Sequence, residues 1–509
     1  MLHRAFICLA WIAVMGIALW LRVESLEARP IHADEATGAH IFSQLIENSN
    51  YRFDPTHFHG PLLSLSTWPV AKIFGQNNWQ ELSLSMLRTG PILAGLLMVL
   101  TPLLWLKSIG PRAALAAAAL LACSPLLVYY NRMYIHESWL ALFGMVAAAA
   151  IFYLIKNPSR NRALLAGLAA GLMFATKETV VISLLCWAVA GAVCWLIMKS
   201  NTSGENTTPP MSAYLKPAVW FTACLLAVGT VFYTNGLREP GGIIDALRTY
   251  FVYETTPGHD KPFGYYFDML VLPKHVLGMW WSEGIVALLG ILACVIAALR
   301  KTGRAVIAFI AIGALLHLLI YSLISYKTPW LMSLPWALAC LLAGCAFSRK
   351  TRSESTPGLL LLYVCFGLGL FYQGQQALQA SGRLSNHPDN PYAYVPTSKN
   401  MTQLPGWLKE LEDFQGGQNI EPIAVIGRGY WPLPWYLRDF DPVGYWSAPP
   451  EAISTFPIVF SMPADTASCG QILAETHTRL PRSLRSNVPI TLFLKNEIWA
   501  AWTEQPSNK

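Results

Sequence analysis

Long apolar runs separated by short polar turns dominate the chain, from AFICLAWIAVMGIALW at residues 5–20 to GLLLLYVCFGLGLF at 358–371. A membrane-crossing helix needs roughly 18 or more consecutive apolar residues. By that measure the pattern predicts about eleven transmembrane helices, near residues 5–23, 84–106, 113–130, 138–155, 163–176, 179–198, 217–235, 284–299, 305–324, 330–347 and 358–376. Two connecting segments, 24–83 and 236–282, are too long to be turns. In DEATGAHIFSQLIEN the apolar positions Ala39, Phe42, Leu45 and Ile46 recur at helical spacing, which predicts an amphipathic helix lying in the membrane interface. LLSLSTWPVAKIFG, after the turn-prone YRFDPTHFHGP, predicts a second one. From about residue 380 the pattern changes: IEPIAVIG, FPIVFSM and VPITLFL read as buried strands, interleaved with the helix-like WLKELEDF and CGQILAETH. The predicted fold is an α-helical polytopic membrane domain over 1–379 followed by a small α/β domain over 380–509.

Composition strengthens this reading. The chain is 54% hydrophobic and 13% charged, against about 25% charged for soluble proteins. Its net charge of +7 could point to nucleic acid, but the placement of the basic residues excludes that. With Arg4, they fill alternate short loops: Lys107 and Arg112; Lys156, Arg160 and Arg162; Lys199 and Lys216; Arg300, Lys301 and Arg304; Arg349, Lys350 and Arg352. The acids on that side are Glu205 and Glu354 alone. The positive-inside rule makes these loops cytoplasmic, so the N-terminus is inside, and the loops 24–83 and 236–282 and the α/β domain are outside. LRVESLEARP offers no small-residue cleavage site, so the first apolar run is expected to stay as a span. Nine of the ten cysteines fall in apolar runs and Cys469 lies in the polar tail, which leaves no pair to staple the tail. No internal repeat period is visible, which weakens an inverted-repeat transporter.

The candidate chemistry gathers on the outer side. In HADEATGAH the adjacent Asp34 and Glu35 are bracketed by His32 and His40. Acids at a helix start also serve as caps and complement its dipole, but a carboxylate at the membrane surface can take a proton from a substrate hydroxyl. Arg132 in YYNRMYIHE, Lys177 in ATKET, His259 and Lys261 in GHDKPF and Lys327 in SYKTPW stand at outer helix ends. Each alone could simply snorkel to the interface; together they suit a lipid-linked phosphate whose charge grows as it leaves. A divalent cation is the one cofactor these residues suggest, with Glu35, His57, His59 and Glu137 as candidate ligands, although their spacing matches no zinc motif. Trp431, Trp435 and Trp446 suit packing or an interfacial belt better than a sugar platform.

Taken together, the DEA opening, YYNRMYIHE, GLMFATKET, H-x-K-P-F-x-Y-Y, SYKTPWLMSLPWALA and YWPLPWYLRDF resemble the membrane glycosyltransferases of the GT-C superfamily. The resemblance is greatest to the branch with protein O-mannosyltransferases and the aminoarabinose transferase of lipid A, and within it to a prokaryotic group labelled flippase activity-associated. It covers residues 5 to about 445. It implies a bacterial or archaeal cytoplasmic membrane, a polyprenyl-phosphate sugar donor in the outer leaflet, Asp34 as base with Glu35 as the second acid of its pair, and Lys177, His259 and Lys327 as phosphate partners.

The function expected is therefore inverting transfer of a sugar from a polyprenyl-phosphate donor to the hydroxyl of a glycan, lipid or protein acceptor on the extracytoplasmic face, with no nucleic acid partner. The alternative is a transporter or flippase component that moves lipid-linked sugars without bond cleavage. It predicts charge inside the membrane, where His317 is the ionisable residue found well within a span. A noncatalytic receptor would leave the outer charge cluster without a purpose.

Overall fold

The computed structural model describes residues 2–48, 51–56, 59–200, 208–252, 258–300, 303–348, 356–414 and 420–504. Each of the apolar segments is helical. Among the described residues six helices are long and apolar enough to cross a membrane: Leu84–Ile109, Glu137–Lys156, Val180–Ser200, Met211–Tyr233, Arg304–Leu323 and Pro329–Phe347. Ile7–Val23 and Gly284–Leu299 are apolar but shorter, and Pro111–Cys123 with Pro125–Asn131 forms a pair bent by 61°. The count of about eleven thus includes short and broken helices that periodicity alone does not distinguish from full ones. Pro329–Phe347 is almost wholly enclosed, whereas Met211–Tyr233 leaves most of its surface open while packing one side on the helix Arg160–Thr176. Large apolar side chains such as Leu226, Leu288, Ile291, Leu315 and Leu368 lie exposed on the helices, the surface of a protein whose exterior solvent is lipid. Small residues bring the helices close. A Cβ on Gly167 would stand 2.4 Å from the Phe221 carbonyl oxygen and one on Gly171 2.7 Å from the Val228 Cβ, the small-xxx-small contact of membrane helices.

The bend has a chemical cause. Pro125 has no N–H to donate to the carbonyl of Leu121, so the helix breaks and Ser124 starts a new one, accepting from the Leu127 N–H. Buried side chains partner the groups freed at the break. Arg22, fully buried, donates to the carbonyls of Leu121 and Ala122 at 3.1 Å each and to Asn131 Oδ1 at 3.1 Å. Glu283, also fully buried, accepts from the Leu126 N–H at 3.0 Å, from the Ser124 hydroxyl at 2.6 Å and from the Trp336 indole at 2.7 Å. Beyond the bend, the Tyr129 and Tyr130 hydroxyls donate to the carbonyls of Ser385 and Tyr392, tying the membrane helices to the segment that follows the last one.

Between the helices, β1 (Lys274–Val276) and β2 (Met279–Trp281) form a hairpin in the 236–282 segment. The C-terminal part forms one mixed sheet of β3 (Ile423–Ile426), β4 (Val443–Trp446), β5 (Ile458–Ser461), β6 (His477–Arg485) and β7 (Val488–Lys495), in the order β4-β3-β5-β7-β6. β3 runs parallel to both β4 and β5, and the other pairs are antiparallel. The fully buried β3, β5 and most of β7 are the three strands their apolar runs predict. β4 and β6 are not legible that way. β4 has four residues, and β6 is a polar edge strand carrying Arg479, Pro481 and Arg482, residues that keep an edge from pairing with another chain. The expected helix CGQILAETH stops at Leu473, and His477 already belongs to β6.

Glu283→Ala should lower the melting temperature of the purified protein in detergent, because it strands three buried donors at about 1–3 kcal/mol each. Glu283→Gln, which keeps an accepting oxygen, should be milder. An unchanged melting temperature for Glu283→Ala would remove the brace from the account of the bend.

Candidate active site

The helix Ala33–Asn48 opens with Asp34 and Glu35 in its first turn, where the helix dipole favours negative charge. Successive residues point about 100° apart around a helix, and here that rotation separates their fates. Glu35 is fully buried. Its two oxygens accept from Arg88 Nε and Nη2 at 2.9 Å each, from the Tyr134 N–H at 2.9 Å and from the His32 N–H at 3.0 Å, with Arg29 3.8 Å away. Burial alone would raise its pKa, but the charges of Arg88 and Arg29, with the hydrogen bonds from Arg88 and His32, bring it down to about 2. Every strong acceptor site of Glu35 is thus occupied, and of the DE pair it is Asp34, its side chain 53% exposed, that opens outward. Glu35, expected beside Asp34 as a catalytic acid, is enclosed by these partners.

Asp34 faces groups from three distant parts of the chain. Its own N–H donates to His32 Nδ1 at 3.1 Å, and His32 Nε2 lies 2.9 Å from the Tyr394 carbonyl. The ring therefore carries its proton on Nε2 and accepts on Nδ1, which makes the 3.9 Å approach of Asp34 to Nδ1 a contact with a neutral imidazole. Tyr394 stacks on His259, its hydroxyl 2.6 Å from Nδ1. Burial and the neighbouring charge of Asp34 push the Tyr394 phenol up to about 12, so it stays protonated and donates to His259. Burial lowers the pKa of His259, opposed by Asp34. Arg485 at the end of β6 also feels the charge of Asp34. It donates through Nη2 to the Gly429 carbonyl at 2.8 Å, while its buried Nε has no partner among the described residues. Thr397 secures the arrangement by donating to the Ile31 carbonyl at 2.6 Å.

The two motifs GHDKPF and SYKTPW lie side by side. The Lys327 N–H donates to the His259 carbonyl at 3.0 Å and the Lys261 N–H to the Ser325 carbonyl at 3.2 Å, with Asp260 bridged to Tyr326. Lys327 is buried, not a side chain snorkelling from a helix end. Its ammonium donates to the Lys261 and Ile324 carbonyls, which uses two of its three N–H bonds.

Lys177, Glu137 and His59 form a second group. Lys177 pairs with Glu137 at 2.6 Å. His59 Nδ1 meets Glu178 at 3.1 Å, and the rings of His59 and His136 lie edge to face at 5.1 Å. Gly60 packs so tightly on the end of helix Arg160–Thr176 that a Cβ would come within 2.3 Å of the Ala175 carbonyl oxygen. The Arg132 guanidinium donates to the carbonyls of Leu21, Glu24 and Ser25, so this buried cation serves the loop and does not open toward Asp34. The metal candidates are not assembled: Glu35 is bound to Arg88 and Glu137 to Lys177, and among the described residues no three His, Cys, Asp or Glu side chains are placed to hold an ion. His57 lies outside the described residues. Trp435 packs edge to face on Trp79 beneath Arg438, and Trp446 packs on Phe456, which are packing roles.

Residues 58–215 match the family model described as dolichyl-phosphate-mannose-protein mannosyltransferase. No curated protein matches the chain. Among solved structures the fold is similar to ArnT from Cupriavidus metallidurans in the apo state, at 15% identity over 95% of this chain and 98% of that one, with a TM-score of 0.63. The same protein bound to undecaprenyl phosphate matches at 15% identity over 94% and 98%, with a TM-score of 0.60. AglB from Archaeoglobus fulgidus, in complex with an inhibitory peptide and a dolichol-phosphate, matches at 13% identity over 98% of this chain and 77% of that one, with a TM-score of 0.53. The matched segment contains the bent helix and the Lys177 turn, and the likeness of fold runs almost the full length of ArnT.

Proposed function

We propose that the chain is a glycosyltransferase that moves a sugar, with inversion, from a polyprenyl-phosphate donor to an acceptor hydroxyl on the extracytoplasmic face of a bacterial or archaeal cytoplasmic membrane. The observation that carries this is Asp34: a half-exposed carboxylate beside a fully committed one, faced by His259, Tyr394 and Arg485. Support for the donor class comes from the lipids named with the fold relatives, undecaprenyl phosphate in ArnT and dolichol-phosphate in AglB. Asp34 takes the acceptor proton as the acceptor oxygen attacks the anomeric carbon. The bond from that carbon to the phosphate oxygen breaks, and the phosphate leaves with the electron pair. His259, with Nδ1 occupied by Tyr394, offers Nε2–H to the phosphate, and Arg485 and the third N–H of Lys327 supply further donors. Holding both reactants at one interface lowers the barrier further, since oriented neighbours reach effective molarities of about 10⁵ M or more. Transport without bond cleavage has less to rest on: the buried ionisable groups among the membrane helices are spent on internal partners, His317 on the Gly313 carbonyl at 2.7 Å and the Ser183 hydroxyl at 2.9 Å, Arg22 and Glu283 on the bend, and Arg88 on Glu35.

Asp34→Asn keeps size but cannot act as a base. It should lower sugar transfer from a radiolabelled polyprenyl-phosphate donor by about 10²–10⁴-fold while donor binding and melting temperature stay at wild-type values. Near-wild-type turnover would sink the mechanism.

Glu35→Gln should act on stability. Removing one partner of a buried ion pair costs about 3–5 kcal/mol, so the melting temperature should fall. A folded-state pKa of about 2, below the ordinary 4.5, means that the carboxylate stabilises the fold above pH 4.5 and loses that contribution as the pH falls toward 2. Melting curves over that window should drop for wild type and show less of this component for Glu35→Gln. A variant as stable as wild type at pH 7 would contradict the lock.

The orientation has its own check. A topology reporter fused after Asn157 should be cytoplasmic and one after Gln379 extracytoplasmic; both on one side would turn the site away from the donor leaflet assumed here.

A further inference from the structure

Apart from Asp34's surroundings, the sheet region carries a cleft of about 530 Å³, within the range of roughly 300–1,000 Å³ typical of ligand sites. Its floor is the edge strand β6 at Pro481, Arg482 and Ser483, and its opposite wall is formed by Asn400 and Gln403 with Trp407 of the helix Leu404–Phe414. The Arg482 guanidinium stands over the Trp407 ring, 5.5 Å from its centre, and spends one N–H on the Pro481 carbonyl at 3.0 Å. The side-chain amides of Asn400 and Gln403 have no hydrogen-bond partner among the described residues. No carboxylate lines the cleft, and Lys399 lies next to Asn400 in the chain.

Edge protection accounts for a proline and for arginines on β6. It does not call for a tryptophan beneath one of those guanidinium groups in a cleft that two amides also line. A guanidinium held against an aromatic face loses little freedom when its remaining N–H groups meet an anion, and its fork matches the planar oxygens of a carboxylate or phosphate. Amides that both donate and accept suit the hydroxyls of a sugar. The cleft also shares its framework with Asp34. Arg485, three residues further along β6, feels the Asp34 charge, and the Ser398 N–H just before the cleft donates to the Leu484 carbonyl.

We propose that this cleft is an acceptor subsite for a glycan carrying an acidic group, either a carboxylate or a phosphate on the sugar, with Arg482 reading the anion and Asn400 and Gln403 reading the neighbouring hydroxyls. The assignment as acceptor subsite rests on the glycosyltransferase reading above; binding of an acidic glycan does not.

Binding to the full-length protein in detergent, without donor, separates the two. Isothermal titration with tetragalacturonate, maltotetraose monophosphate and neutral maltotetraose should find at least one acidic sugar bound about 10- to 100-fold more tightly than the neutral one, the range expected for a charged hydrogen bond. The preferred arm identifies the anion. Arg482→Gln should reduce that sugar to the affinity of the neutral one, and Gln403→Ala, on an exposed position, should weaken all binding with the melting temperature unchanged. Equal affinity for all three sugars, no binding of any, or full acidic preference retained in Arg482→Gln would each overturn the proposal. If the acidic sugar binds as expected while Asp34→Asn still transfers, the subsite stands and the catalytic reading falls; if Asp34→Asn is inactive and no sugar binds here, the reverse holds.

Discussion

Much of this structure follows from one missing hydrogen-bond donor. Because Pro125 cannot continue the helix begun at Pro111, backbone carbonyls and an N–H are left without intrahelical partners inside a bundle of apolar helices. Unpaired backbone groups in such surroundings are costly, and two ionisable side chains answer the need, Arg22 for the carbonyls and Glu283 for the donors. The bent segment then runs on through Tyr129 and Tyr130, which hold the segment after the last helix, to Tyr134, whose N–H reaches Glu35. One break therefore links the first helix, the hairpin segment, the loop bearing the acids and the C-terminal part.

The two adjacent carboxylates divide the work that follows. A buried ion pair such as that of Glu35 and Arg88 is weak evidence for net stability, because desolvating both charges offsets their attraction. Its value lies in geometry. Arg88 also gathers the carbonyls of Leu26 and Arg29, so the turn preceding the helix Ala33–Asn48 is fixed, and the orientation of Asp34 is fixed with it. A base that must meet a hydroxyl at hydrogen-bond distance depends on this kind of support.

The sequence made legible what periodicity encodes: the helices, including the two in the first long loop, and the three buried strands. What stayed hidden depends on long-range partners. Asp34 and Glu35 are equivalent by composition, and only the position of Arg88, 53 residues away, decides which of them is buried. Tyr394 and Arg485 carry no local signal, since one lies in an irregular proline-flanked segment and the other ends a polar edge strand. Arg132 and Lys327 read as outward cations because they neighbour helix ends, yet Arg132 is spent on carbonyls that irregular backbone leaves open, and Lys327 spends two of its three N–H bonds in the same way.

Arg22 also bears on how such a chain is made. Its partners Leu121, Ala122 and Asn131 lie about a hundred residues further on, so the first helix leaves the ribosome and meets the bilayer well before any of them exists. Until then the guanidinium near the end of that helix can satisfy itself only by reaching to water and lipid headgroups. The arrival of the broken helix exchanges that hydration for fixed carbonyls. The first helix is thereby held provisionally during synthesis and committed late, when the segment that will shape the site is threaded in beside it.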